Sequence, residues 1–248
     1  MSESFARVET KYLLSLSGAE QAEKELRRRG FVRMDFGSPR IQSLYYDTQD
    51  YALVRASLEH PVYKEKLRLR VYGEPGTITR SFVEIKKKYR GTVYKRRTEM
   101  PLREAGEGLA RGWFPPEAGQ VGREAEWMLR RYGLRPAAVI ACEREAWVGG
   151  EASDVRITFD RAVTFRDWEM DLNLLVPGLP LLEEDVRLVE IKTGGACPLW
   201  LAGLLRDTGA RRTHFSKYGT AYRDYIRQEK GNEGGAAECS PVFLRVGA

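Results

Sequence analysis

Histidine is almost absent from this 248-residue chain: only His60 and His214 occur. A zinc enzyme, or a hydrolase built on a histidine base, needs more than that. A metal held by carboxylates is not excluded. Cysteine is scarce too, with Cys142, Cys197 and Cys239 and no CxxC pair. Such an odd, sparse set points to a reducing compartment rather than a disulfide framework. No apolar run approaches the ~20 residues of a membrane helix. The first residues carry no signal-peptide pattern. The expectation is a soluble, cytoplasmic protein that is not itself membrane-spanning, with a membrane-protein partner left open. Neither GxxxxGK[ST] nor GxGxxG occurs, which removes the P-loop and the dinucleotide fingerprint.

What is abundant is charge. Charged residues make up 31% of the chain and hydrophobic ones 42%, enough for a packed core. The 41 basic and 35 acidic residues leave a net charge of +6. That permits an anionic partner and gives no sign of DNA binding. The charges alternate with aliphatic residues in segment after segment. Glu9 and Lys11 oppose Val8 and Tyr12; Lys66, Arg68 and Arg70 oppose Leu67, Leu69 and Val71. Glu84, Lys86 and Lys88 oppose Val83 and Ile85, and Glu190 and Lys192 oppose Val189 and Ile191. Successive strand side chains point to opposite faces, so each segment has one charged and one aliphatic face. For a single strand, a solvated face with Lys–Glu pairs is the better explanation. Four strands repeating it argue that the charged faces converge on a lumen holding a polyanion.

The pattern predicts strands over 7–16, 41–47, 63–72, 81–89, 93–100, 138–148, 155–163 and 187–192. Helices are expected over 18–29, 104–113, 123–131, 199–205 and 217–228. No linker separates the two halves. Residues 1–228 read as one domain and 229–248, with GNEGGAAECSP, as a disordered tail.

Phosphate chains need several fixed cations: Arg for planar, bidentate contacts and Lys as a point charge. Lys66, Arg68, Arg70 and Lys86 meet that need, with Arg7 and Lys11 if their strand lies alongside. Glu9, Glu84 and Glu190 are ion-pair partners or ligands for Mg²⁺ or Mn²⁺. Asp160 orients an inward Arg, binds metal or makes a structural ion pair, and Arg144 is a further candidate phosphate ligand. Ser216 and Lys217 precede a predicted helix, where phosphate binding and a plain N-cap are both open for Ser216. Tyr72 and Tyr89 are read as falling on the phase opposite the charges, packing rather than stacking bases, which sets aside an RNA-binding barrel.

These stretches resemble the triphosphate tunnel metalloenzymes, and within them the VTC-type polyphosphate polymerase domain. The resemblance lies in RVETKYLL (7–14), SLYYDTQDY (43–51), KLRLRVYG (66–73) and FVEIKKKYRGTVYKRR (82–97). It continues in EREAW (143–147), RITFDRAV (156–163), LVEIKT (188–193) and FSKYGTAY (215–222). It implies an α+β, mainly antiparallel fold with a closed β-barrel tunnel, a charged lumen and flanking helices. It implies ATP and inorganic polyphosphate as substrates. The γ-phosphoryl group of ATP would pass to a growing chain, with Mn²⁺ or Mg²⁺ as cofactor. By position, Lys11, Arg68, Arg70, Lys86, Arg144 and Lys217 would be catalytic phosphate ligands, with Arg7, Lys66, Lys88, Lys95 and Ser216 as further phosphate contacts. Glu190 would be the main metal carboxylate and Glu9 the second. The chain departs from the family at Arg7, which holds an earlier acidic slot, and at Cys142, where a Tyr is expected beside the nucleotide. A tunnel triphosphatase and a non-catalytic polyphosphate- or nucleotide-binding module are the alternatives.

Overall fold

The computed structural model describes residues 8–35, 38–59, 61–90, 92–150 and 154–228. Arg7 and the expected tail at 229–248 lie outside the described residues. The chain begins with β1 (Val8–Ser15), α1 (Leu16–Arg28), β2 (Val32–Arg33), β3 (Arg40–Asp47) and α2 (Ala52–Leu58). A meander of β4 (Tyr63–Tyr72), β5 (Arg80–Tyr89) and β6 (Thr92–Pro101) follows, then α3 (Leu102–Arg111) and α4 (Gly119–Tyr132). The second half contains β7 (Arg135–Val148), β8 (Arg156–Arg166), β9 (Leu179–Pro180), β10 (Val186–Thr193), α5 (Leu199–Asp207), β11 (Arg211–Thr213) and α6 (Lys217–Ala221). A π-helical turn over Tyr222–Ile226 extends α6. The fold is α+β and mainly antiparallel, as its sequence pattern implies.

All eleven strands share one sheet, ordered β11-β1-β10-β8-β7-β3-β4-β5-β6, with β2 on β7 and β9 on β8. The two halves interleave: β1 pairs β10, and β3 pairs β7. The expected closed barrel is corrected. Among the described residues no ladder joins β6 to β11 or β1, so the sheet is a curled trough with an open seam. Two irregularities bend it. The β3–β7 register shifts at Tyr45/Tyr46, and the β7–β8 register shifts between Ala141 and Glu143. Ala162 sits at φ 46° opposite the second shift. An extra residue bends a strand and sharpens its twist. At Ala162 it also reverses the phase of β8. Ile157 and Phe159 belong to the outer core, whereas Val163 and Phe165 belong to the inner one.

Helices cover the outer face. Helices α3 and α4 bury Ala105, Leu109, Ala125 and Met128 against Leu67, Leu69, Val83 and Ile85. Helices α1 and α5 bury Leu26 and Leu201 against Trp147, Ile157 and Ile191. Part of the inner face is filled by α6 and its extension. Tyr218, Ala221 and Ile226 pack on Leu13, Tyr45, Ile140 and Leu188. The rest of that face is left to charge.

Candidate functional site

Strand register places the inner charges in two clusters, each centred on carboxylate. In the first, Lys11 on β1 lies opposite Glu190 on β10, and Arg144 on β7 opposite Asp160 on β8. Lys11 Nζ is 3.2 Å from Glu190 Oε1 and donates to the Phe215 carbonyl at 3.1 Å. Arg144 grips fully buried Asp160 with both arms, at 2.6 and 2.7 Å, and reaches Glu190 Oε2 at 3.5 Å. Lys217, at the start of α6, pairs with Asp160 and lies 3.9 Å from Glu190. Burial works against both carboxylates, but these cations outweigh it. Asp160 falls below its ordinary range, mainly through Lys217 and Arg144, and Glu190 falls well below, through Lys217, Lys11 and Arg144. Burial likewise disfavours the Lys217 ammonium, and the Asp160 and Glu190 charges reverse that and raise it.

The second cluster belongs to β4, β5 and β6. Arg68 lies opposite Glu84, donating from Nε at 2.8 Å and closing to 2.6 Å through Nη2. Arg70 Nε stands 3.9 Å from the same carboxylate and donates to Ser43 Oγ at 3.0 Å. Lys95 Nζ lies 2.8 Å from Glu84 Oε1. Burial would raise Glu84, yet Arg68, Arg70 and Lys95 hold it down to about 2. Of the two roles open to Glu84, the geometry is that of an ion-pair partner.

Between the clusters runs a row of like charges. Lys66, Lys86 and Lys95 are directly opposite one another across β4, β5 and β6, and Lys64 faces Lys88. Like charges directly opposite are destabilising. Burial, reinforced by neighbouring lysines, depresses Lys66 to about 8. Burial also lowers Lys86 and Lys95. The curl brings the ends of the sheet together. Lys86 on β5 feels Glu9, Lys11 and Glu190 from β1 and β10, although four strands separate β5 from β10 by way of the ladder.

The structure therefore assembles Lys11, Arg144, Glu190 and Lys217 at one wall, and Lys66, Arg68, Arg70, Lys86 and Lys95 at the other. Lys88 is half-buried farther along β5, and Glu9 is exposed on β1 opposite Lys192. Ser216 Oγ accepts from the Gly219 N–H at 3.3 Å, the geometry of an N-cap. Tyr45 is a site residue that sequence reasoning missed. Its hydroxyl accepts from Arg68 Nη1 at 2.9 Å, and its ring stacks on Tyr218 with centroids 4.7 Å apart. Burial would raise this phenol, but Arg68, Arg70 and Lys66 bring it down to about 7. Tyr45 alternates with Ser43 and Asp47, so its face was legible; its cationic neighbours arrive by register. Tyr72 needs correcting: two residues beyond Arg70, it lies on the charged face of β4, not behind it.

Among the described residues no three His, Cys, Asp or Glu side chains converge in the arrangement of a metal site. Glu190 and Glu9 do project from the same face of adjacent strands. Beside Glu190, across the β10–β8 ladder, Thr158 Oγ1 is buried without a partner. One or two carboxylates and a spare hydroxyl fit a hard cation that takes its remaining ligands from water and phosphate.

The sequence matches the VTC domain family over residues 6–225, and the chain belongs to that family. No curated protein matches it. Among solved structures, a candidate adenylate cyclase from Bacillus halodurans aligns at 14% identity and TM-score 0.49, covering 85% of this chain and 93% of the other. A candidate adenylyl cyclase from Hippeastrum, described as having a dominant triphosphatase activity, aligns at 16% identity and TM-score 0.49, covering 88% and 95%. The PH1819 protein of Pyrococcus horikoshii OT3 aligns at 15% identity and TM-score 0.43, covering 90% and 99%.

Proposed function

We propose that this chain is a metal-dependent polyphosphate polymerase that transfers the γ-phosphoryl group of ATP to a growing inorganic polyphosphate chain. The observation that carries the reading is the lysine row. Lys66, Lys86 and Lys95 stand opposite one another, the first two half-buried and Lys95 exposed. Among the described residues Glu84 pairs with Lys95, while Lys66 and Lys86 make no ion pair, and a run of phosphoryl oxygens would neutralise the row. Membership of the VTC domain family supports the same substrate class.

In this mechanism Arg68, Arg70, Lys66, Lys86 and Lys95 hold the triphosphate from one wall. Lys11, Arg144 and Lys217 hold it and the acceptor from the other. Lys88 would extend the cationic track, and Ser216 would act through the position of Lys217. A terminal phosphate oxygen of the acceptor attacks the γ-phosphorus. The bond from that phosphorus to the β–γ bridging oxygen breaks, and ADP leaves with the electron pair. The attacking oxygen is already anionic near neutral pH, so no general base is required. Catalysis is in-line positioning and charge neutralisation. Glu190, with Glu9, would hold Mn²⁺ or Mg²⁺, which neutralises charge on the bridging and terminal oxygens when bound.

The test is incubation of the purified chain with ATP and Mn²⁺, with products run on a gel stained for polyphosphate. A ladder that disappears on exopolyphosphatase treatment is the expected result. Free phosphate without a ladder would replace the reading by a triphosphatase. Binding of ATP with no turnover would replace it by a binding module.

A further inference from the structure

Away from the trough, charge is most one-sided in the segment between β8 and β10. Residues 167–185, DWEMDLNLLVPGLPLLEED, hold six carboxylates and no basic residue, in a chain whose net charge is +6. Within it, residues 174–180 are apolar throughout and mostly exposed, and Leu175 is 73% exposed. Monomeric proteins rarely leave such a stretch to water. The segment is pinned along its length. Arg166 donates to the Glu169 and Asp171 carbonyls, Asn173 Oδ1 accepts from the Gly76 N–H, and the Tyr225 hydroxyl donates to the Pro180 carbonyl. Gly178 lies so close to β8 that a Cβ there would stand 2.7 Å from the Phe165 carbonyl oxygen. A pinned apolar projection flanked by carboxylates loses little freedom when it docks.

A complementary surface stands on the same chain. Helix α4 buries Ala125, Met128 and Leu129 and turns Arg123, Trp127, Arg130 and Arg131 to solvent. At 3.6 residues per turn these four fall within an arc of ~100°, and Glu124 and Glu126 lie outside it. Trp127 is 52% exposed. Arg130 donates to the Gly112 carbonyl at 3.1 Å, which brings Trp113, 56% exposed, beside the same face. Helix α3 separates the two surfaces. Leu172 and Asn173 share a cavity wall with Leu102 and Glu107 at one side of α3, and Gly112 at its end meets α4.

We propose that this chain forms a two-fold dimer in which the acidic, apolar loop of each copy docks on the Trp127 face of its partner's α4. A two-fold axis makes both contacts at once, because a patch that meets its complement in one direction meets it in the other. Leucine side chains cover the indoles, and arginine–carboxylate pairs form the rim. Exposed Trp and Arg are the side chains that most often carry such interfaces. An anionic lipid surface does not suit the loop, whose six carboxylates it would repel. The dimer is independent of the phosphate chemistry proposed above.

The experiment measures the mass of the full chain in solution by sedimentation over a range of concentrations. A dimer that weakens as salt is added is the expected wild-type result. A loop variant, Leu175→Ser with Glu184→Lys, and a helix variant, Trp127→Ser with Arg131→Glu, should each weaken self-association about tenfold or more. All four side chains are exposed, and circular dichroism checks that the variants fold. Mixing the two variants joins the native loop of one to the native α4 of the other. Mixed pairs should therefore form more tightly than either variant pairs with itself. A wild type that stays monomeric at about 100 μM would overturn the dimer. Undiminished dimerisation of both variants, or no preference for mixed pairs, would overturn the docking of loop on helix.

Discussion

At the scale of single residues, carboxylates hold the site together before any ligand arrives. Glu84 is clasped by Arg68, Arg70 and Lys95, and removing its charge leaves three cations facing one another. Glu84→Gln should destabilise the free protein by on the order of 3–5 kcal/mol, read by chemical denaturation. The pH dependence follows from the same pairs. Glu84 is held at about 2 against an ordinary 4.5, so its contribution is complete above about 4.5 and lost as pH falls towards 2. Glu190 and Asp160, both lowered, act in the same direction. Melting temperature should fall steeply through this window, and less steeply in Glu84→Gln. Tyr45 works at the other end of the scale. Its folded value of about 7 lies below its ordinary 10.0, so its contribution is absent below pH 7 and complete above 10. A tyrosinate signal in the ultraviolet spectrum should titrate near pH 7, vanish in Tyr45→Phe, and move upwards when triphosphate neutralises the surrounding cations. Glu190→Gln should cut metal-dependent turnover by about 100-fold or more while nucleotide binding falls much less. Full activity in that variant would sink the metal assignment.

At the scale of elements, α6 shows how a short helix aims a catalytic candidate. Ser216 caps it, Gly219 lets it approach Leu58, and Tyr218 donates to Asp47 Oδ2 at 3.0 Å. Ser216→Ala should cost about 1 kcal/mol of stability as a lost cap. If Ser216 acts only through Lys217, triphosphate affinity should be recovered where stability is restored by an unrelated change; direct contact would leave a deficit. The long alternating strands were legible in the sequence because period-two patterning is local: β4 falls at 63–72 as expected. Helix α2 was not, because Ala52–Leu58 is short and starts at Tyr51, a non-glycine residue at φ 60°. The candidate ligands were legible by type and face. Their grouping was not, since Asp160 finds Lys217, and Arg68 finds Tyr45, only through register and curl. Tyr72 shows the converse: it packs on the inner core as expected, but its face, which could be counted directly from Arg70, was assigned to the wrong side.

At the scale of the whole molecule, one curled sheet with α6 on its inner face stands where a closed barrel was expected. The trough carries more cation than carboxylate at its lysine row, and an anion that neutralises it should stabilise the fold. Tripolyphosphate at about 100 times its Kd should add about 2.7 kcal/mol, visible as a thermal shift that shrinks with salt. The open edge between β6 and β11 has a further meaning. A pipe releases a long polymer only through its two mouths, one repeat at a time. A gutter also lets it be lifted out along its length. For the polyphosphate chain proposed above, this seam would be a lateral way out, and dissociation would not have to slow in proportion to how far the polymer has grown.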